Sequence, residues 1–161
     1  MGEEHTIVKP PEIYPGKHYD RSRPWIFLAG SIDMGAAEDW QDELANEFKS
    51  KKCVWFNPRR SDWDSSWKQG LNEKQFYEQV QWELDHLEQC DIIALYFANG
   101  SQSPISLLEL GLHAKDDKVV VYCDDFYRKG NVDIVCQRYN IPVFTDKETW
   151  KYEIERRINN W

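Results

Sequence analysis

Five short apolar runs punctuate this chain, at residues 25–29 (WIFLA), 53–56 (CVWF), 91–97 (DIIALYF), 118–123 (KVVVYC) and 141–144 (IPVF). Each is continuously apolar rather than alternating, the pattern of a strand covered on both faces. Amphipathic stretches lie between them. Trp40, Leu44 and Phe48 recur at i, i+4 and i+8, and Phe76, Val80, Leu84 and Leu87 form a second stripe. A third helix is expected to open at Ser103-Pro104, an N-cap followed by proline at the first helical position, with a core face of Ile105, Leu108 and Leu112. A fourth is expected over residues 146–159. Strands alternating with helices imply an α/β domain, and right-handed crossovers leave few topologies. The expectation is a flavodoxin-like fold: a five-stranded, mostly parallel sheet with helices on both faces.

A chain of 161 residues has room for one such core. Residues 1–24 hold four prolines (Pro10, Pro11, Pro15, Pro24) and few aliphatics, so they are expected to form an extended leader with no helix or ladder of its own. The domain proper is then residues 25–161. A net charge of −8 opposes nonspecific binding to a nucleic-acid polymer or an anionic membrane. The longest apolar run falls far short of the roughly 20 residues that span a bilayer. The charged N-terminal stretch lacks the apolar centre of a signal peptide, so an intracellular, cytoplasmic protein is expected. Cys53, Cys90, Cys123 and Cys136 have no close paired spacing and three sit in or beside apolar runs, which favours buried thiols over disulfides or zinc. Eight tryptophans are an unusual excess.

Ligands of open α/β sheets bind beyond the carboxyl ends of the strands, near a topological switch point. Here those ends are Gly30-Ser31, Asn57-Pro58-Arg59-Arg60, Ala98 to Ser101, and Asp124-Asp125. Glu109, within LLELGL, stands less than two turns into the helix after such an end, on or beside its apolar face. A carboxylate so placed costs several kcal/mol unless it is paired, hydrogen-bonded or protonated. Glu83 follows the same logic in the line Phe76, Val80, Glu83, Leu87. Two carboxylates leaning into one pocket suit glycosidic chemistry, in which one attacks or stabilises a sugar cation and the other holds a hydroxyl or moves a proton. After the second run, residues 57–67 mix turn formers with Arg59, Arg60, Asp62, Trp63, Asp64 and Trp67. A long loop of this kind is usually functional or mobile. Trp63 or Trp67 can stack on a nucleobase, and Asp62 or Asp64 can accept from its amine or ring N–H. No dinucleotide fingerprint, Walker A sequence or G-x-S-x-G elbow is present, and the histidines lack metal-ligand spacing.

The segments Ile26-Phe27-Leu28-Ala29-Gly30-Ser31, Asn57-Pro58-Arg59-Arg60, Trp82-Glu83 eight residues before Asp91, and Leu108-Glu109-Leu110-Gly111 together resemble the nucleoside 2-deoxyribosyltransferase family over about residues 25–144. The resemblance implies that Glu109 is the nucleophile, attacking C1′ of a 2′-deoxynucleoside to form a deoxyribosyl-enzyme ester, which a second nucleobase then resolves. It implies that Glu83 binds the sugar hydroxyls and that no cofactor is needed. Together with the strand ends and the loop above, it makes Gly30, Ser31, Asn57, Arg59, Asp62, Trp63, Asp64, Ser103 and Asn131 the expected lining of the substrate site. It also implies a place in nucleotide salvage, and a homo-oligomer with shared active sites in which the Gly130-Asn131-Val132 segment reaches a neighbour's sugar. The chain departs from the family pattern twice. Phe27 stands in place of a first-strand tyrosine, and Ser103 in place of an aspartate six residues before the nucleophile. Protonation of the leaving base therefore falls to Asp62 or Asp64. Two other readings stand beside this one: an N-glycosidase of deoxynucleosides or their 5′-monophosphates, with Arg59 or Arg60 at the phosphate, and a catalytically weak nucleotide-binding protein.

Overall fold

The computed structural model describes residues 5–12, 21–32, 38–60 and 66–161. All five apolar runs are strands: β2 (Trp25–Gly30), β3 (Cys53–Phe56), β4 (Ile92–Phe97), β5 (Val119–Cys123) and β6 (Val143–Phe144). A sixth strand, β1 (His5–Val8), comes from the leader and pairs in parallel with β3, from His5 opposite Cys53 to Val8 opposite Phe56. The sheet order is β1-β3-β2-β4-β5-β6, with every pairing parallel. Its last five strands have the flavodoxin-like order, and β1 is an extra edge. The expectation of five strands and a ladderless leader is thus corrected. Four residues of mixed polarity carry too little periodicity to read, and their pairing partner lies far along the chain.

Helices α1 (Trp40–Glu47), α2 (Lys74–Gln89), α3 (Pro104–His113), α4 (Lys129–Arg138) and α5 (Lys147–Asn159) complete three layers. Side chains alternate across each strand. Trp25, Phe27, Ala29, Phe56, Leu95 and Phe97 enter one core with Trp82 and Leu87 of α2, Leu110 of α3, and Val132 and Cys136 of α4. Ile26, Leu28, Trp55, Ala94 and Tyr96 enter the other, with Trp40 and Leu44 of α1 and Trp150 and Ile154 of α5. All four cysteines are buried free thiols. Burial pushes the Cys53, Cys90 and Cys136 thiols up to about 12 and Cys123 to about 11, so they pack as small apolar groups.

Two helices present faces other than those expected. On α2 the buried residues are Gln79, Trp82, His86 and Leu87, whereas Phe76, Val80 and Leu84 are only half-buried. On α3 the buried residues are Ser106, Leu110 and His113, while Ile105, Leu108 and Leu112 are 58%, 59% and 53% exposed. Apolar spacing finds the stripe on a helix but not what the stripe faces. Here polar residues are turned toward the sheet end and the apolar stripe of α3 points outward. Helix α4 was not expected either, because its short sequence KGNVDIVCQR carries a weak amphipathic signal.

Lys118, at the start of β5, donates from Nζ to the carbonyls of Leu87, Glu88 and Cys90 at 2.6, 3.0 and 3.2 Å, so its charge caps the carboxyl end of α2. At the same end Asp91 Oδ2 accepts from the Trp25 backbone N–H at 2.8 Å. These bonds fix the carboxyl end of α2 against β5 and β2. Gly30, which ends β2, has φ +153°, and a Cβ there would collide with Tyr96 O and lie 2.7 Å from Trp40 Cζ2. The position therefore requires glycine for both backbone and space. Gly30→Ala is expected to lower the unfolding free energy by about 3 kcal/mol, through overpacking plus backbone strain, as read from chemical denaturation. A loss below about 0.5 kcal/mol would show that Trp40 does not pack so closely on this turn.

Candidate active site

Beyond Gly30 the chain is held at the junction of β2 and β4, where the sheet order reverses. Ser31 N donates to Tyr96 O at 3.0 Å, Ala98 N donates to Ser31 Oγ at 2.9 Å, and Trp40 Nε1 donates to Ser31 O at 3.1 Å. Ser31 Oγ also contacts the hydroxyls of Ser101, at 3.0 Å, and Ser103, and Ser101 and Ser103 lie 2.9 Å apart. All three serines are buried. Ser103 occupies the N-cap position of α3, but it has φ 44° and its side chain makes no capping bond. Its hydroxyl turns instead to Ser31 and Ser101, so one small polar cluster seals the turn after β2 to the start of α3.

Glu109 and Glu83 are brought together at this end of the sheet. On α3, Glu109 lies three residues after buried Ser106 and four before buried His113, which points it inward rather than along the outer stripe. Glu83 lies on α2 directly after Trp82, whose ring packs on Phe27 and Phe56 and whose Nε1 donates to Glu12 O at 2.8 Å. Both glutamates retain partial exposure, yet protein atoms crowd their carboxyls, as at the floor of a cleft. Desolvation pushes Glu83 up to about 7, opposed by a hydrogen bond from Gln79. Desolvation, then repulsion from Glu83, pushes Glu109 up to about 8. Among the described residues, no hydrogen bond or ion pair reaches the Glu109 carboxyl. The arrangement is a close pair of acids near neutrality, one of them open to form a new bond.

The other expected residues divide by location. Gly30 and Ser31 lie at the carboxyl end of β2, and Ser103 at the start of α3. Asn57 is fully buried: its Nδ2 donates to Asp42 Oδ1 and its Oδ1 accepts from Arg59 N, both at 2.9 Å. It braces the turn after β3. Arg59 Nη1 donates to Glu38 O at 2.9 Å, and the Arg60 guanidinium lies 5.3 Å from the Trp67 ring. Asp62, Trp63 and Asp64 lie outside the described residues. Asn131 is exposed on α4, with Val132 beside it in the core. Phe27 is fully buried under Trp82. Sequence reasoning missed Gln79, and it reached Ser101 only as the last residue of a strand end. Gln79 carries a signal, its i, i+4 spacing to Glu83 on a helix, whereas the contact of Ser101 with Ser31 and Ser103 has no local mark.

Among the described residues, no group of three or more His, Cys, Asp or Glu side chains is placed to hold a metal ion, and no helix is long and apolar enough to cross a membrane. No curated protein matches the chain. Among solved structures it resembles a conserved protein from Enterococcus faecalis V583, with a TM-score of 0.62 and 14% identity over 84% of this chain and 99% of that one, a likeness of fold. The model of the nucleoside 2-deoxyribosyltransferase-like family matches residues 23–127, which hold β2 to β5 and both glutamates. This chain therefore belongs to the nucleoside 2-deoxyribosyltransferase-like family.

Proposed function

We propose that this protein is a nucleoside 2-deoxyribosyltransferase that acts through a covalent deoxyribosyl-glutamate intermediate. The observation that carries the reading is the Glu83–Glu109 pair at this end of the sheet, with no hydrogen bond or ion pair reaching the Glu109 carboxyl among the described residues. In the first step a Glu109 carboxylate oxygen bonds to C1′ as the C1′–N bond breaks, and its electron pair leaves with the base. The leaving base takes a proton, assigned to Asp62 or Asp64 in the loop after β3. In the second step a nitrogen of an incoming base attacks C1′, the ester bond breaks, and Glu109 returns as carboxylate while the new nucleoside loses a proton. Glu83 holds the sugar hydroxyls, and its charge favours the cation-like transition state. Gly30, Ser31 and Ser103 shape the wall beside the sugar. Water in place of the second base would make the same protein an N-glycosidase.

The protein is further read as a homo-oligomer that shares its sites. Ile105, Leu108 and Leu112 form an exposed apolar line along the helix that carries Glu109, and burying that line against a second copy would remove it from water. Such a copy would also exclude solvent from the cleft, and Asn131 could then reach a neighbour's sugar.

Glu109→Gln is expected to lose at least about two orders of magnitude in turnover, and quenched wild-type enzyme should carry a deoxyribosyl adduct on Glu109 by peptide mass spectrometry. Turnover retained in the variant would exclude Glu109 as nucleophile. With deoxynucleoside, product nucleoside should appear only when a second base is added. Free deoxyribose forming equally with and without that base would assign hydrolysis instead.

The raised pKa values fix the pH dependence. Attack needs Glu109 as carboxylate, so the rate of ester formation should climb with pH through about 8. Folding lifts both acids above their ordinary 4.5, so the folded protein keeps protons that the unfolded chain has lost. Stability accordingly falls as pH rises from about 4.5 to about 8. Glu109→Gln should melt several degrees higher than wild type at pH 8, with the gap closing toward pH 4.5. Equal melting at both pH values would place this carboxyl in water. For the assembly, Leu108→Glu is expected to give a monomer in sedimentation velocity, with reduced turnover; a wild-type monomer would refute shared sites.

A further inference from the structure

Gln79 is the polar residue that the reaction above leaves unexplained. It is 6% exposed, on the sheet-facing side of α2, where an apolar side chain would pack at less desolvation cost. Its Nε2 donates twice, to Glu83 Oε1 at 2.8 Å and to the Pro58 carbonyl at 3.1 Å. Its Oε1 faces the Arg60 guanidinium at 3.5 Å. One amide group therefore ties a carboxylate on α2 to the backbone at the exit of β3, and an amide N–H2 has two donors and no more. Glu109 has no such partner among the described residues.

We infer that Gln79 is a positioning residue for Glu83, its amide nitrogen fixing the Glu83 carboxylate in the cleft and making the two acids of the pair unequal. The Pro58 bond holds the amide in place, since a carboxamide with both N–H donors engaged cannot rotate freely. The Glu83 bond is strongest when Glu83 is ionised, because a carboxylate is the better acceptor. Glu83 is thereby the member of the pair that loses its proton first. Around it, the charged and titratable groups of the described structure are Glu109 from α3 and, through Gln79, Arg60 from the loop after β3. The strands beneath present Phe27 and Phe56, and His86, one turn along α2, donates from Nδ1 to Trp82 O rather than to Glu83. Gln79 thus sets which glutamate ionises first, without touching the sugar, and attack then awaits the ionisation of Glu109.

This inference rests on Glu83 and Glu109 being the reacting pair, and its test is independent of turnover. Carbon-13 NMR of protein labelled at the glutamate side-chain carboxyls, with Glu83→Gln and Glu109→Gln identifying the two signals, reads each titration directly. In Gln79→Met, which keeps length without the donor, the Glu83 midpoint should move up by about one pH unit. An unmoved Glu83 midpoint in a variant with native circular dichroism would overturn the role. The wild-type protein supplies a second readout that no folding defect can cloud. The Gln79 side-chain N–H2 resonances should shift with the Glu83 midpoint between pH 5 and 9, and this shift should vanish in Glu83→Gln. Resonances that ignore pH in the wild type would refute the bond. If the titrations behave as expected while no deoxynucleoside is ever cleaved, the positioning stands and the proposed reaction falls.

Discussion

Two carboxyls crowded together at one end of a parallel sheet set the terms for the rest of this molecule. Their desolvation and mutual repulsion oppose folding whenever they ionise, so they persist only where the scaffold holds them rigidly. That rigidity has visible sources. Lys118 and Asp91 pin the carboxyl end of α2 to the sheet, and the serine cluster pins the start of α3 to the turn after β2. Trp40 closes over Gly30 from the opposite face and bonds Ser31 O. The site is thus clamped from both layers of helices, although its acids come from one layer only.

The tryptophan excess takes on the same meaning. Trp25, Trp40, Trp55 and Trp150 are buried in the two cores, where flat bulk fills the space between sheet and helix. Trp82 does more than fill space. Its ring packs on Phe27 and Phe56 while its Nε1 bonds Glu12 O, so it joins the wall beside Glu83 to the segment that follows β1. The leader is therefore part of the support of the site, as an edge strand and as an acceptor for this indole. Phe27 belongs to the same wall, fully buried under Trp82, and it offers packing without a hydroxyl.

The strands and the positions of both glutamates were legible along the chain because continuous apolar runs and helix spacing are local signals. The facing of the helices was not. On α2 and α3 the apolar lines Phe76-Val80-Leu84 and Ile105-Leu108-Leu112 stand half-buried or exposed, while Gln79, Ser106, His86 and His113 face inward. A pattern rule takes apolar as inward, and it fails where a helix has a polar cleft on one side and an uncovered apolar line on the other. The edge strand His5–Val8 escaped for a related reason: its ladder depends on Cys53–Phe56, and nothing within the strand announces that partner.

By itself the sequence determined the fold class, the order of the five central strands and of every helix but α4, and the presence of an acid near the start of the helix after β4. Those features follow from residue periodicity and from the right-handed crossover, which need no coordinates. Only the tertiary structure decided that Glu83 and Glu109 share one cleft, that Asn57 braces a turn, and that Gln79 holds one acid of the pair and not the other. Each of those depends on contacts between elements, where a carboxyl's proton affinity is set by what surrounds it in space rather than by its neighbours along the chain.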